Sequence, residues 1–302
     1  MSGIKSKIKK IAHPQDDLLR TDRLPHIWCS GCGIGTVFNC IIAAIKKAEY
    51  SLDNIAMVSG IGCTGRMAGY INLDSYHTTH GRALPFATGL KLAKPEGNVL
   101  VASGDGDLFA IGGNHIIHSA RRNMDITVIC VNNFNYGMTG GQLAPSTPFG
   151  AKTTTSVVGN PEEPFNFCHI TSACGAVYVA RWTALHLRRL TNSILKAMQK
   201  RGFSFIEVLA PCPTSFGRYN KMRKSLDMIK YYHEKSIIRN HIDPVEASID
   251  FSKNIIVGDF VDIERPTFLD QYEIVNHGEL GEWPNMEKDV DPPDNETKEL
   301  KK

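Results

Sequence analysis

One stretch constrains this chain more than any other: Gly104 to Gln142, entered from the apolar segment Asn98 to Ala102. It reads as a strand, a Gly104-Asp105-Gly106 turn, a helix, and a second apolar strand from Asp125 to Val131. That strand ends at Asn132-Asn133 and the turn Phe134-Asn135-Tyr136-Gly137. A strand running through a glycine-rich turn into a helix aims backbone N–H groups at an anion. The glycines let the backbone come close to it. Asp105 and Asn133 add hard oxygen donors suited to Mg²⁺ shared with a phosphate, and the backbone carbonyl near Asn135 adds a third. A lone GDG says little, because Gly-Asp turns are common. GDG followed by NN about 25 residues on, each at a strand end, is much more specific. The plain alternative is two ordinary βα turns.

The 302 residues suffice for one large or two modest domains. A formal net charge of +3 demands neither nucleic acid nor a membrane surface, and no apolar run is long enough to span a bilayer. The basic start from Met1 to Lys10 has no apolar segment behind it, which argues against a secretory signal and for a cytoplasmic protein. In that setting the eight cysteines read as thiols or metal ligands rather than disulfides. Cys40, Cys130 and Cys168 sit in apolar patterns and belong to the core, and Cys174 is ambiguous. Cys29, Cys32, Cys63 and Cys212 sit in turns rich in Gly, Pro and Ser.

Taken in order, residues 1–25 read as an arm lying over a surface. A helix is expected from Thr36 to Glu49, a strand from Asn54 to Ser59, and a helix from His80 to Ala93. Past the central unit, residues 141–163 form a long ordered loop. A helix then spans Phe165 to Ala173, a strand Val177 to Ala180, a helix Ala184 to Lys200 and a strand Ser204 to Leu209. This alternation predicts an α/β fold with a mostly parallel sheet and helices on both faces. Four strand exits, at Cys63, Asp105, Asn133 and Cys212, should then meet at one sheet edge. The domain so defined covers 26–217. Residues 218–284 read as an extension expected at a subunit interface, with a helix within Tyr219 to Lys235 that either packs on another chain or presents a solvated face, a strand Ile255 to Phe260 and an extended stretch to Tyr272. The polar tail 285–302 is expected to be disordered.

Four thiolates, Cys29-x-x-Cys32 with Cys63 and Cys212, suit Zn²⁺ or a [4Fe–4S] cluster, and plain thiols remain an alternative. A structural zinc site usually uses two close pairs, whereas two of these ligands are single and far apart in sequence.

The GDG–NN pairing resembles the thiamine diphosphate motif. With it stand WCSGCG (Trp28 to Gly33), SGIGCTGR (Ser59 to Arg66), THGRALPFATGLKLA (Thr79 to Ala93), NNFNYGMTGGQ (Asn132 to Gln142) and PCPT (Pro211 to Thr214). Together these resemble the β subunits of the 2-oxoacid:ferredoxin oxidoreductases over roughly residues 15–225. The opening LLRTDRLPHIWCSGCG most resembles the 2-oxoglutarate enzymes. Ser30 departs from the pattern, where Pro is more usual.

The resemblance implies a thiamine diphosphate-binding fold and one [4Fe–4S] cluster on Cys29, Cys32, Cys63 and Cys212. It implies Mg²⁺ on Asp105, Asn133 and the carbonyl of Asn135. Thiamine diphosphate would lie along Ile61, Gly62, Cys63, Thr64, His80, Gly106, Asp107, Gly137 and Met138, with His80 as the catalytic candidate. It further implies oxidative decarboxylation of a 2-oxoacid, 2-oxoglutarate favoured, with coenzyme A taking the acyl group and ferredoxin the electrons. The partner would be an α subunit, with γ or δ subunits as possible additions, and it would supply the carboxylate that activates the cofactor. Pyruvate or a branched-chain 2-oxoacid is the alternative substrate. A non-oxidative thiamine diphosphate lyase with a structural metal is the alternative enzyme, and an electron-transfer module the alternative class. Arg66 and Arg82 either face an anion or form structural ion pairs.

Overall fold

The computed structural model describes residues 13–277; residues 1–12 and 278–302, the latter including the tail expected to be disordered, lie outside them. In chain order the elements are α1 (Ile34–Ala48), β1 (Ile55–Ser59), β2 (Asp74–His77), α2 (Ala83–Ala93), β3 (Asn98–Gly104), α3 (Gly113–Arg121), β4 (Thr127–Asn132) and α4 (Phe167–Ala173). They continue with β5 (Tyr178–Thr183), α5 (Leu187–Gln199), β6 (Ser204–Leu209), α6 (Ser225–Lys235), β7 (Ser236–Ile238), β8 (Ile255–Asp262) and α7 (Phe268–Asn276). The eight strands form one sheet in the order β2-β1-β3-β4-β6-β5-β8-β7. The six strands from β2 to β5 in that order are parallel, and β8 closes against β5 antiparallel.

The central strands β4, β5 and β6 are buried at every position, as expected for parallel strands covered on both faces. Alternate side chains therefore enter two separate cores. Ile129 and Val131 join α1 and α5 on one face. Val128 and Cys130 join α2, α3 and α4 on the other. α5 shows how the sequence selects its face: Leu190, Ile194, Ala197 and Met198 recur at helical spacing and are all buried. Leu190, Ile194 and Met198 each contribute about 1.5–3 kcal/mol by leaving water, and Ala197 less.

The differences from expectation have local causes. α2 starts at Ala83 rather than His80, because Gly81 is left-handed (φ +70°) and its N–H is taken by the Asp107 carboxylate at 2.9 Å. α5 starts at Leu187 rather than Ala184, because the Thr183 hydroxyl accepts the Leu185 N–H at 3.2 Å and holds a turn there. The stretch expected to run extended to Tyr272 instead becomes α7, closed by a reciprocal Thr267–Asp270 cap. The described part of the arm is anchored. Leu18 is buried, Leu19 bridges to Ile71, and Arg20 Nε donates to the Ile71 carbonyl at 2.9 Å. The extension beyond residue 217 is continuous with the main sheet through β8 rather than a layer apart from it.

Candidate active site

Register brings the strand exits together. Ser59 of β1 pairs with Ala102, Gly104 of β3 with Val131, and Asn132 of β4 with Leu209 of β6. The loops bearing Cys63, Asp105, Asn133 and Cys212 thus leave one edge side by side. Between β1 and β3 the strand order reverses, the place where open α/β sheets form a crevice.

That crevice is a cavity of about 130 Å³ lined by Ile61 to Thr64, His80, Gly104 to Asp107, Asn133 and Asn135 to Thr139. Asp105 is 3 % exposed, and burial pushes its carboxyl up to about 7, against the pull of the Ser146 hydroxyl that donates to it. The side-chain oxygens of Asn133 and Asn135 are buried with no hydrogen-bond partner. The Asn135 amide is not free to turn, because its Nδ2 donates to the Asn133 carbonyl at 2.7 Å. A carboxylate beside two unpartnered amide oxygens is the donor set a hard cation takes. Expectation named the Asn135 carbonyl; the side-chain oxygen of the same residue is a second candidate.

Asp107 behaves differently. Its Oδ1 accepts from the N–H groups of Gly81 (2.9 Å) and Ile61 (3.2 Å) and from His80 Nδ1. Its Oδ2 accepts from the Ser103 hydroxyl at 2.7 Å. This carboxylate lines the cavity but is fully engaged in tying its walls together. It also fixes the His80 ring, which stands edge-on to Tyr136 with Nε2 as the remaining nitrogen.

The four cysteines line a second cavity, of about 210 Å³, together with Trp28, Asn133, Gly137 and Met138. Two hydrogen bonds hold its walls: Trp28 Nε1 to the Cys63 carbonyl (2.8 Å) and the Gly33 N–H to the Pro211 carbonyl (3.0 Å). Gly33 has to be glycine, since a Cβ there would fall 2.6 Å from Pro211 Cδ. Burial pushes the Cys32 thiol up to about 12 and Cys63 to about 11, and the neighbouring cysteines add to both shifts. Among the described residues no three His, Cys, Asp or Glu side chains are gathered tightly enough to hold a single ion.

The two cavities share a wall of Cys63, Asn133, Gly137 and Met138. A Cβ built on Gly137 would lie 3.7 Å from Cys212 Sγ, from Asn133 Nδ2 and from Asn135 Oδ1. Arg66 and Arg82 line neither cavity and form no ion pair among the described residues. Sequence reasoning missed Ser146, Trp28 and Tyr136, whose hydroxyl donates to the Gly106 carbonyl at 3.2 Å. A serine in a Gly- and Pro-rich loop, 41 residues from Asp105, carries no local signal of its role. A larger hollow of about 290 Å³, lined by Tyr76, Phe86 and Lys94, holds none of the candidate residues. Chemistry rather than size selects the site. No helix among the described residues is long and apolar enough to cross a membrane.

Comparison with known proteins agrees with this geometry. Residues 60–208 match the family described as thiamine pyrophosphate enzyme, C-terminal TPP binding domain. The chain is 51% identical over 259 residues to the 2-oxoglutarate synthase subunit KorB of Methanocaldococcus jannaschii, covering 86% of this chain and 96% of that one. It is 52% identical over 262 residues to the same subunit of Methanothermobacter marburgensis, covering 86% and 90%. The fold superposes with a TM-score of 0.77 and 29% identity on the 2-oxoglutarate:ferredoxin oxidoreductase of Magnetococcus marinus, a structure with 2-oxoglutarate, coenzyme A and succinyl-CoA bound, over 94% of this chain and 95% of that one. With identities near one half along most of its length, the chain belongs to the KorB family, the β subunits of the 2-oxoacid:ferredoxin oxidoreductases.

Proposed function

We propose that this chain is the β subunit of a 2-oxoglutarate:ferredoxin oxidoreductase that converts 2-oxoglutarate and coenzyme A to succinyl-CoA and CO₂ with reduction of ferredoxin. The substrate reading rests on the names of the relatives. The chemistry rests on one observation: the hard-oxygen cavity and the four-thiol cavity share the wall at Gly137.

In this reading Asp105 and the oxygens of Asn133 and Asn135 hold Mg²⁺. The orphaned side-chain oxygens of the two asparagines support it, since a buried acceptor without a partner costs about 1–3 kcal/mol unless a ligand meets it. The backbone from Gly104 to Asp107 and the loop from Ile61 to Thr64 line the diphosphate. Cys29, Cys32, Cys63 and Cys212 hold a [4Fe–4S] cluster. Bound there, thiamine diphosphate would supply the electron sink for decarboxylation, and the cluster would supply a one-electron acceptor. His80, held at Nδ1 by Asp107, leaves Nε2 facing the cavity wall as a group that would hold or move a proton there. The exposed side chains of Ile61 and Met138 stand at the rim and exclude water once the cavity is covered. The α subunit completes the site and brings the carboxylate that activates the cofactor.

The test is anaerobic. The purified complex is assayed for iron, sulfide and thiamine diphosphate, and its spectrum is recorded before and after 2-oxoglutarate with coenzyme A. About four irons per β chain, bleached by 2-oxoglutarate, is the expected result. Bleaching by pyruvate alone would move the substrate and leave the mechanism. Zinc in place of iron, or iron that no 2-oxoacid reduces, would favour a non-oxidative lyase.

A further inference from the structure

Phe134 stands between the two asparagines with a left-handed backbone (φ +64°), a region a bulky residue keeps only when its surroundings hold it. Its N–H donates to Asn132 Oδ1 at 3.0 Å and its carbonyl accepts from the Thr147 hydroxyl at 2.7 Å. Its ring lies 5.3 Å from that of Phe216 and 5.5 Å from that of Phe251, centre to centre. The Asn132 amide can give its oxygen to Phe134 only while its nitrogen faces an acceptor. That acceptor is Glu207 Oε1, at 2.7 Å.

Glu207 lies in β6 directly across from Arg181 of β5. Its Oε2 accepts from Arg181 Nε at 2.7 Å and from the Cys168 thiol at 3.4 Å. The guanidinium also donates to the Ala247 carbonyl and, at 3.5 Å, to Asn166 Oδ1. Asn132, Arg181 and Glu207 are all completely buried. A buried ion pair is a poor source of stability compared with an apolar pair of the same volume, so its presence asks for another role. This one fixes polarity. Arg181 keeps Glu207 an acceptor, Glu207 therefore takes the Asn132 nitrogen, and the Asn132 oxygen is left for the Phe134 N–H.

We propose that Glu207 is a positioning residue for the metal–diphosphate site, acting through Asn132 to set the left-handed turn at Phe134 and hence the unpartnered side-chain oxygens of Asn133 and Asn135. The inference rests on the reading of those two asparagines as Mg²⁺ ligands.

Glu207→Gln tests it at constant volume. If the new amide oxygen serves Arg181, its nitrogen confronts Asn132 Nδ2. Either two donors then meet, or the Asn132 amide turns over and aims its nitrogen at the Phe134 N–H. The double variant Asn132→Asp/Glu207→Gln restores a donor–acceptor match at every link and leaves the net charge unchanged. The assembled enzyme is stripped of Mg²⁺ and thiamine diphosphate and re-titrated with both by calorimetry, with thermal unfolding recorded alongside. Affinity is expected to fall about 10–100-fold in Glu207→Gln, the range for residues that orient metal ligands, and to return in the double variant. A merely structural role would lower the unfolding temperature and leave the affinity of the folded enzyme alone. A folded Glu207→Gln enzyme with native affinity overturns the proposal, as does a double variant no better than the single one. If Glu207→Gln does not assemble, Thr147→Val decides, since it loosens Phe134 from the carbonyl side without touching the ion pair. Weaker binding then supports the proposal and native binding overturns it. A native enzyme that takes up neither Mg²⁺ nor thiamine diphosphate would instead sink the reading beneath it.

Discussion

At the scale of single residues, Gly137 separates the needs of the fold from the needs of the site. Its backbone is not left-handed, and a Cβ there would meet its three nearest atoms at 3.7 Å, ordinary contact distance. Gly137→Ala should therefore leave the apo fold intact, within about 1 kcal/mol of the original stability. The same methyl group would project into the wall between the oxygen ligands and Cys212. We expect it to cost bound cofactor about 1–3 kcal/mol, roughly 5- to 150-fold in affinity, as overpacking does in a filled site. Thermal unfolding of the apo enzyme beside calorimetric titration with Mg²⁺ and thiamine diphosphate separates the two effects. An unchanged affinity would mean that the bound groups do not approach this wall. The residues at this edge differ in how they can be read. Asp105, Asn133, Cys63 and Cys212 are visible in sequence because each follows a strand end in a turn of unusual composition, and Cys29 and Cys32 because they form a CxxC pair in a Gly-rich loop before α1. Asp107 is visible only as a neighbour of the GDG turn. That its carboxylate is spent on Ile61, His80, Gly81 and Ser103 depends on three loops meeting, which no local pattern encodes.

At the scale of elements, legibility follows burial. β3, β4, β5, β6 and β8 announce themselves as apolar runs because the layers around them cover both faces. β2 does not: only Ser75 of its four residues is even partly buried, and the segment is a strand because it pairs with β1. The three-residue β7 is likewise a strand through its pairing with β8. α7 was hidden for another reason. Pro266 biases the residue before it toward extended backbone, and the helix that follows has no fully buried side chain to reveal a face. What starts it is Thr267, 2 % exposed, whose hydroxyl accepts the Asp270 N–H at 3.2 Å while Asp270 accepts the Thr267 N–H at 2.8 Å. Thr267→Ala should cost about 1 kcal/mol, a drop of about 2 °C in a chain of this size, with no effect on cofactor binding. Differential scanning calorimetry checks the first part. A destabilisation several times larger would mean that α7 supports β8 and not only itself.

At the scale of the whole molecule, the sheet delivers everything to one edge and leaves that edge unfinished. The cofactor cavity holds about 130 Å³, below the roughly 300–1,000 Å³ of a complete small-molecule pocket. Its acidic lining among the described residues is Asp105 and Asp107. In the proposed reading Asp105 holds the metal, and Asp107 is engaged by Ile61, His80, Gly81 and Ser103, so neither is available to act on the cofactor ring. His80 is 40% exposed and Met138 46%, which is more open than a reacting centre tolerates, because water at the site weakens every electrostatic contact and diverts intermediates. A second chain laid over this edge would close the cavity and bury both side chains, and in the proposed reading it also brings the activating carboxylate. The isolated chain should therefore bind Mg²⁺ with thiamine diphosphate weakly. It should turn over 2-oxoglutarate at least about 10²–10⁴-fold more slowly than the complex, the range lost with one positioned acid–base group. Its thiol site should still take up iron, since all four cysteines line a cavity built by this chain alone. Anaerobic reconstitution of the separate chain, followed by iron analysis and a coenzyme A-dependent assay with and without the partner subunit, reads all three quantities. Iron loading without turnover, and turnover regained on adding the partner, is the expected pattern. Turnover by the chain alone within tenfold of the complex would place the whole catalytic apparatus on this sheet edge and remove the need for a second chain.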